Sequence, residues 1–351
     1  SRRRWSAVAP GAAVAVAALA PVALVALAFG GDGGNEPFEL ATLVPVLAIC
    51  AGALALTGSD RPRLRAGVTV YAAATVAVYL IGSPIGSNIA RLGTLLAAPL
   101  GALLLWHRDA GRRHVTWLAV LALALLYVGW QAPVRDTLAA AGDPSTSSAY
   151  YAPLLRFLAA QPGPPFRTEI PFTASHWEAY EVAARFPLAR GWERQLDIAD
   201  DPLFYRGRLT PASYESWLHA DAIRFVALPD VALDRSATAE GRLIRHGLAY
   251  LRPVMRTAHW RVYAVVRPTP IATGAATLTK LGIDTVALTA RSAGAALVRV
   301  RFSPYWALAR GDGCVGPAGA YTRLTLRRAG EVLLTIRFSP LRIGARSPRC
   351  T

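Results

Sequence analysis

The chain has 351 residues, 53% of them apolar, and 38 Lys+Arg against 22 Asp+Glu give a net charge of +16. So apolar a composition excludes intrinsic disorder. Only Lys280 is a lysine, so the Lys-rich runs of a nucleic-acid binder are missing and that partner class is excluded as well. The length exceeds the roughly 250–300 residues that one core supports, so more than one domain is expected.

The sequence opens at Ser1, and its one methionine is Met255. This reads as a processed N-terminus or, preferably, as the C-terminal part of a longer protein. Arg2, Arg3 and Arg4 followed by an apolar run resemble a signal peptide, but the run is longer than a usual h-region. Further apolar runs follow at 40–57, 66–82, 92–106 and 115–130. A spanning helix takes about 20 mostly apolar residues. The first three runs reach that length, and the last two gain it from the flanking Ile89, Ala90 and His114. The pattern predicts a membrane α-helical bundle of about five spans over residues 1–130, with the lipid bilayer as its partner.

Orientation follows from the cations. Arg2–Arg4, then Arg61, Arg63 and Arg65, then Arg108, Arg112 and Arg113 occupy alternate loops, and the other loops hold only Arg91. The positive-inside rule puts the basic loops in the cytoplasm. A multi-pass plasma-membrane protein results, with its N-terminus cytoplasmic and residues 131–351 extracytoplasmic.

Residues 131–149 are small, polar and turn-rich, and read as a linker. An extracellular α/β module is expected over 150–268: a helix around Tyr151–Leu158, a strand at 167–172, and helices at 177–186, 213–220 and 237–246. Strands at 223–228, 251–255 and 260–266 complete it. Beyond Arg267-Pro268-Thr269-Pro270, runs at 277–281, 285–290, 296–302, 321–327 and 331–338 alternate in period two. They predict a C-terminal β-sandwich over 269–351. Outside the cytoplasm Cys314 and Cys350 are candidates for a disulfide, while Cys50 reads as a small core residue. Two isolated cysteines without clustered histidines make a poor metal set, so no metal is expected.

No phosphate-binding glycine loop, GxSxG elbow or HExxH is present, and no cofactor is evident. The richest segment is 176–205. There Trp177, Glu178, Tyr180, Arg190, Trp192, Glu193, Arg194 and Asp197 interleave rings with charged groups. Rings stack on the apolar faces of sugars while carboxylates and guanidinium groups take their hydroxyls, which makes these residues glycan-contact candidates. The alternative is a polar surface with half-buried tryptophans and satisfied ion pairs. In the bundle, Arg91 and Asn88 border a Gly/Ser-rich outward loop and are candidates for a lipid phosphate; otherwise Arg91 anchors a helix end at the headgroups.

The segments GSPIGSNIARL (82–92), PLARGWERQLD (187–197), PLFYRGRLTPASYESWL (202–218), IRFVALPD (223–230) and AHWRVYAV (258–265) are similar to large multi-span proteins of actinobacterial type. Some of those carry a label relating them to 6-pyruvoyl-tetrahydropterin synthase. More distantly, the architecture resembles the C-terminal half of GT-C-type membrane glycosyltransferases. That resemblance implies a polyprenyl-phosphate-linked sugar donor and an envelope glycan acceptor. It also implies a catalytic loop upstream of this chain, so no catalytic residue carries over. Two functions are therefore expected: part of a lipid-linked-sugar glycosyltransferase, or a non-enzymatic membrane protein whose exterior module binds glycan or a protein partner.

Overall fold

The computed structural model describes residues 2–28, 34–105, 123, 129–130 and 133–338. Helix α1 (Arg2–Ala28) is followed by α2 (Leu40–Leu56), α3 (Pro62–Leu80) and α4 (Ala90–Leu105). Among the described residues only α1 is long and apolar enough to cross a membrane, over Gly11–Ala28, and that stretch is exposed around its whole circumference. This overturns the expected five-span bundle and, with it, the multi-pass topology. The reason is length. The 17 residues of α2 reach about 25 Å against a hydrocarbon core of about 30 Å. Helix α3 carries Arg63 and Arg65 in its first turns. Helix α4 has 16 residues, with Arg91 at its start and Pro99 inside. Of the fifth run, 115–130, only residues 123, 129 and 130 are described. A single apolar helix near the N-terminus is what a signal sequence or a single anchor looks like.

The chain forms two compact units. One takes residues 33–146 and 191–202, the other residues 1–32, 147–190 and 203–351. In the first, α2, α3 and α4 pack together around Val46, Cys50 and Ala90. The expected linker starts as helix there, over residues 133–140.

The second unit holds two layers. After α5 (Ser148–Ala159) come β1 (Arg167–Glu169), the short α6 (Glu178–Glu181), α7 (Pro211–Ala220), β2 (Ile223–Pro229), α8 (Thr238–Arg245), β3 (Leu251–Arg256) and β4 (Trp260–Val265). The sheet order is β1-β2-β4-β3, with β1 and β2 parallel and the rest antiparallel. Central β2 is apolar almost throughout because both its faces are covered. Phe225 and Ala227 meet Tyr151, Leu154 and Leu158 of α5, while Val226 and Leu228 meet Tyr214 and Leu218 of α7 and Ile244 of α8. Helix α7 starts cleanly because Thr210 and Ser213 form a capping box and Pro211 follows the cap. The Trp260 indole donates to the Tyr150 carbonyl at 2.8 Å and ties α5 to the sheet.

Eight further strands follow: β5 (Ala272–Gly274), β6 (Ala276–Leu281), β7 (Thr285–Ala290), β8 (Gly294–Arg301), β9 (Trp306–Arg310), β10 (Gly313–Ala318), β11 (Tyr321–Leu326) and β12 (Gly330–Ile336). They form two four-stranded sheets, β10-β11-β8-β5 and β6-β7-β12-β9. Period-two alternation turns Val298, Leu324 and Leu326 of one sheet and Val286, Leu288, Val332 and Leu334 of the other into one shared core. The chain changes sheet between β5 and β6 at Gly274. Its φ is +89°, and a Cβ there would lie 2.4 Å from the Ala295 carbonyl oxygen. Arg167 joins the two layers by donating to the Arg299 carbonyl at 2.8 Å and to the Asp221 carbonyl. Tyr321 adds a hydrogen bond to the Asp221 carboxylate at 2.8 Å.

Cys314, in β10, is disulfide-bonded and Cys50 is free; Cys350 lies outside the described residues. We expect the intact mass to rise by two hydrogens on reduction, with a loss of about 2–5 kcal/mol of stability. Denaturant titration with and without reductant checks this, and an unchanged midpoint would show that the bond contributes nothing.

Candidate functional site at the carboxyl ends of the parallel strands

In sheets with parallel strands, ligand-contacting groups gather where the carboxyl ends of those strands open into loops. Here the loops after β1 and β2 are zipped together. Thr173 bridges Leu233, Ala174 N–H donates to the Ala232 carbonyl at 2.9 Å, and Asp234 N–H donates to the Phe172 carbonyl at 2.9 Å. The turn out of the first loop puts His176 at φ +57°, a left-handed conformation that costs about 1 kcal/mol or more and persists only where its surroundings hold it.

What holds it is charge. Nδ1 of His176 lies 3.6 Å from Glu178 and Nε2 lies 3.6 Å from Asp234. Those distances are too long for hydrogen bonds, so the attraction is coulombic. Glu178 is wholly buried and accepts from the Thr173 hydroxyl at 2.6 Å. Asp234 accepts from the Ser236 amide at 2.9 Å and from its hydroxyl at 2.6 Å. Burial of the ring opposes its protonation, but Asp234 and Glu178 together outweigh that and push the His176 pKa up to about 9.

The β3–β4 hairpin brings a second histidine to the same end of the sheet. His259 Nδ1 lies 2.9 Å from one oxygen of Asp230, and the Tyr150 hydroxyl donates to the other at 2.8 Å. The Tyr150 ring leans on His259 and Trp260, each at 5.1 Å between centroids. Burial first, then the Asp230 carboxylate, drive the Tyr150 phenol above its ordinary range, so it stays a donor. Asp230 and His259 remain about half exposed.

Beneath this end lies a buried cation. Residues 187–189 run beside β1, where Thr168 N–H donates to the Pro187 carbonyl at 3.0 Å and Ala189 N–H donates to the Thr168 carbonyl at 2.9 Å. That edge carries Arg190 inward. Its guanidinium sits 3.7 Å from the Phe204 ring centroid and 4.3 Å from that of Phe172. It lies 3.2 Å from Glu240 and 3.8 Å from Glu169. The Tyr214 hydroxyl donates to the other Glu240 oxygen at 2.7 Å. Burial, followed by the Glu240 and Glu169 charges, holds that phenol well above its usual range.

The eight glycan-contact candidates are divided. Trp177, Glu178, Tyr180 and Arg190 belong to the unit with the sheets, and Trp192, Glu193, Arg194 and Asp197 to the helical unit. Glu178, Arg190 and Asp197 are buried and present nothing to a glycan. Trp177 is 40% exposed and Tyr180 71%, and their rings meet edge to face at 5.9 Å. Trp192 and Glu193 are exposed in the helical unit and Arg194 is partly buried. Arg91 is exposed in the first turn of α4, while Asn88, in the short turn before it, is half-buried. Sequence reasoning missed Tyr150, Thr173, Asp230, Asp234 and His259. Pro229-Asp230 closing an apolar run was the only local signal, because pairing β1 with β2 takes contacts more than fifty residues apart.

Among the described residues no cluster of three or more His, Cys, Asp or Glu could hold a metal ion. Each of His176's carboxylate partners takes a hydroxyl at 2.6 Å, Glu178 that of buried Thr173 and Asp234 that of buried Ser236. The surface at this end offers the exposed Trp177 and Tyr180 rings and the half-exposed Asp230 and His259. No family model, curated protein or solved structure matches the chain.

Two outcomes follow from the buried charges. Arg190→Met leaves Glu169 and Glu240 facing each other without their cation and is expected to cost about 3–5 kcal/mol; Glu169→Leu and Glu240→Leu added to it recover most of that in urea titration. For His176, a folded pKa of about 9 above an unfolded value of about 6.5 gives stability that is complete below pH 6.5. It is lost as pH rises toward 9. After solvent screening this amounts to about 1–2 kcal/mol. His176→Gln should flatten the dependence of melting temperature on pH over that interval, and an unchanged slope would remove the ion pairs from the account.

Proposed function

We propose that this chain is a membrane-anchored binding protein whose sheet-bearing unit faces outside the cytoplasm and holds an anionic envelope glycan. Helix α1 supplies the anchor. Arg2, Arg3 and Arg4 at its start favour a cytoplasmic N-terminus, and disulfide-bonded Cys314 suits an oxidising compartment. The net charge of +16 favours an anionic polymer over a neutral one. The observation that carries the reading is the exposed Trp177–Tyr180 pair. Two large rings stay out of the core on the helix turn next to His176, at the end of the sheet where Asp230 and His259 are also half exposed. The GT-C resemblance brings no catalytic residue to any described position, so the reading argued is binding and not glycosyl transfer.

The full chain in phosphatidylcholine nanodiscs, screened against neutral and anionic envelope glycans, tests this. Anionic glycans should bind, and more weakly as salt rises. Trp177→Ala and Tyr180→Ala should each weaken binding about fivefold, the equivalent of about 1 kcal/mol of stacking. Trp192→Ala, in the other unit, should leave it unchanged. No glycan binding, or binding indifferent to both ring deletions, sinks the proposal and leaves a protein partner as the candidate ligand.

A further inference from the structure

The helical unit contains an open groove of about 550 Å³ lined by α2, α3 and α4. Its walls are aliphatic, among them Ile49, Leu64, Val68, Leu96 and Leu100. Two glycines line it: a Cβ built on Gly52 or on Gly67 meets no atom within 4 Å. Both positions therefore face the open space of the groove without a side chain in it.

At one end the polar groups are satisfied. The Tyr71 hydroxyl donates to the Ile89 carbonyl at 2.9 Å and accepts from the Gly93 amide at 3.0 Å. Gly93 is pressed against it, with a Cβ falling 2.7 Å from the hydroxyl oxygen. Both hydrogen-bonding capacities of that phenol are used, so this end offers nothing polar to a ligand or to water.

Eight residues earlier on α3, about 12 Å away at 1.5 Å per residue, Arg63 supplies the only charged side chain in the lining. Its neighbours are engaged. Arg65 donates to the Leu54 carbonyl at 2.9 Å and the Thr57 carbonyl at 2.8 Å, and Arg61 lies 3.8 Å from Asp60. Arg63 has no carboxylate or carbonyl partner among the described residues. It also stands in the first turn of α3, where the helix dipole adds to its positive potential.

We propose that this slot binds a single-chain anionic amphiphile, with its alkyl chain between the three helices and its headgroup on Arg63. The dimensions agree. An apolar cavity of about 150 Å³ takes a benzene-sized molecule, so this one has room for roughly twenty carbons at the same density. Carboxylate and phosphate headgroups share the required chemistry, since a guanidinium forks onto either. The site lies in the helical unit and stands independently of the glycan-binding reading.

Photocrosslinking tests it. The full chain in phosphatidylcholine nanodiscs is irradiated with dodecanoate carrying a diazirine on its terminal carbon, and adducts are mapped by mass spectrometry. Adducts should concentrate near Tyr71 and Gly93, at the end away from Arg63. Dodecanoate and dodecyl phosphate should compete about tenfold better than dodecanol, and the stronger of the two names the headgroup. Arg63→Gln should bring both anions down to dodecanol's level. Gly67→Leu and Gly52→Leu should each cut labelling at least tenfold. Leucine is the better helix former and its Cβ meets no atom within 4 Å at either position, so an unchanged far-UV spectrum confirms that the fold survives. Labelling spread equally along α1, equal competition by dodecanol, or labelling that survives both leucine variants would overturn the proposal.

Discussion

The α/β layer is organised around one constraint, the burial of the Arg190 guanidinium. A charge removed from water costs several kcal/mol unless its surroundings replace the lost hydration. Here the replacement comes from three separate places in the sequence, 169–172, 204 and 240. Phe172 and Phe204 cover its faces, while Glu169 follows from β1 and Glu240 from α8. None of these is optional once the cation is inside, because the cation and the two acids are each unfavourable without the others. The cluster thereby fixes where β1 ends, how close α8 lies, and where the 187–190 segment turns inward. Apolar packing on β2 stabilises the sheet without such directional demands, since hydrophobic burial has no preferred register of its own.

The features at the carboxyl ends of β1 and β2 inherit that rigidity. Phe172 touches both the buried Arg190 and, edge on at 5.2 Å, His176. The same short segment therefore links the interior cation to the surface one. His176 can hold its left-handed backbone because Glu178 and Asp234 pin its ring from two sides, and each of those carboxylates has a hydroxyl donor of its own. Trp177 and Tyr180 follow immediately on a four-residue helix. Rings placed this way lose little conformational freedom on binding, which is the condition under which exposed aromatics become effective contacts.

Much of the local structure was legible because it obeys a simple period. The run expected at 285–290 is strand Thr285–Ala290, that at 260–266 is strand Trp260–Val265, and the helix expected at 213–220 begins two residues earlier, at Pro211. Alternation failed where the strand itself is irregular. Strands Trp306–Arg310 and Gly313–Ala318, the latter containing Gly316 and Pro317, carry too few alternating apolar residues to stand out. The expected helix at 177–186 shrinks to Glu178–Glu181 because Glu178 is drawn to His176 and Thr173 instead of lying on an exposed helix face. The site was less legible than the fold. Residue type alone points to Glu178 and Arg190 as contacts for a glycan, yet the same charge that suits a sugar hydroxyl also suits a buried ion pair. Only the tertiary arrangement separates those uses.

The misreading of the apolar N-terminal third has a different cause, and it bears on what those helices do. Composition reports how apolar a segment is, and a span also needs about 30 Å of uninterrupted helix. Runs rich in Ala and Gly reach a high apolar fraction without either that length or much side-chain volume. Three such helices brought together leave space between them where bulky residues would have closed it. Glycine inside a helix costs roughly 1 kcal/mol relative to alanine, and both Gly52 and Gly67 stand where a methyl group would meet nothing. Close helix approach does not explain them, because close approach would put atoms within reach of the missing Cβ, as happens at Gly93. The two glycines weaken their helices without improving the packing, and the groove they face ends at an arginine that no carboxylate among the described residues neutralises.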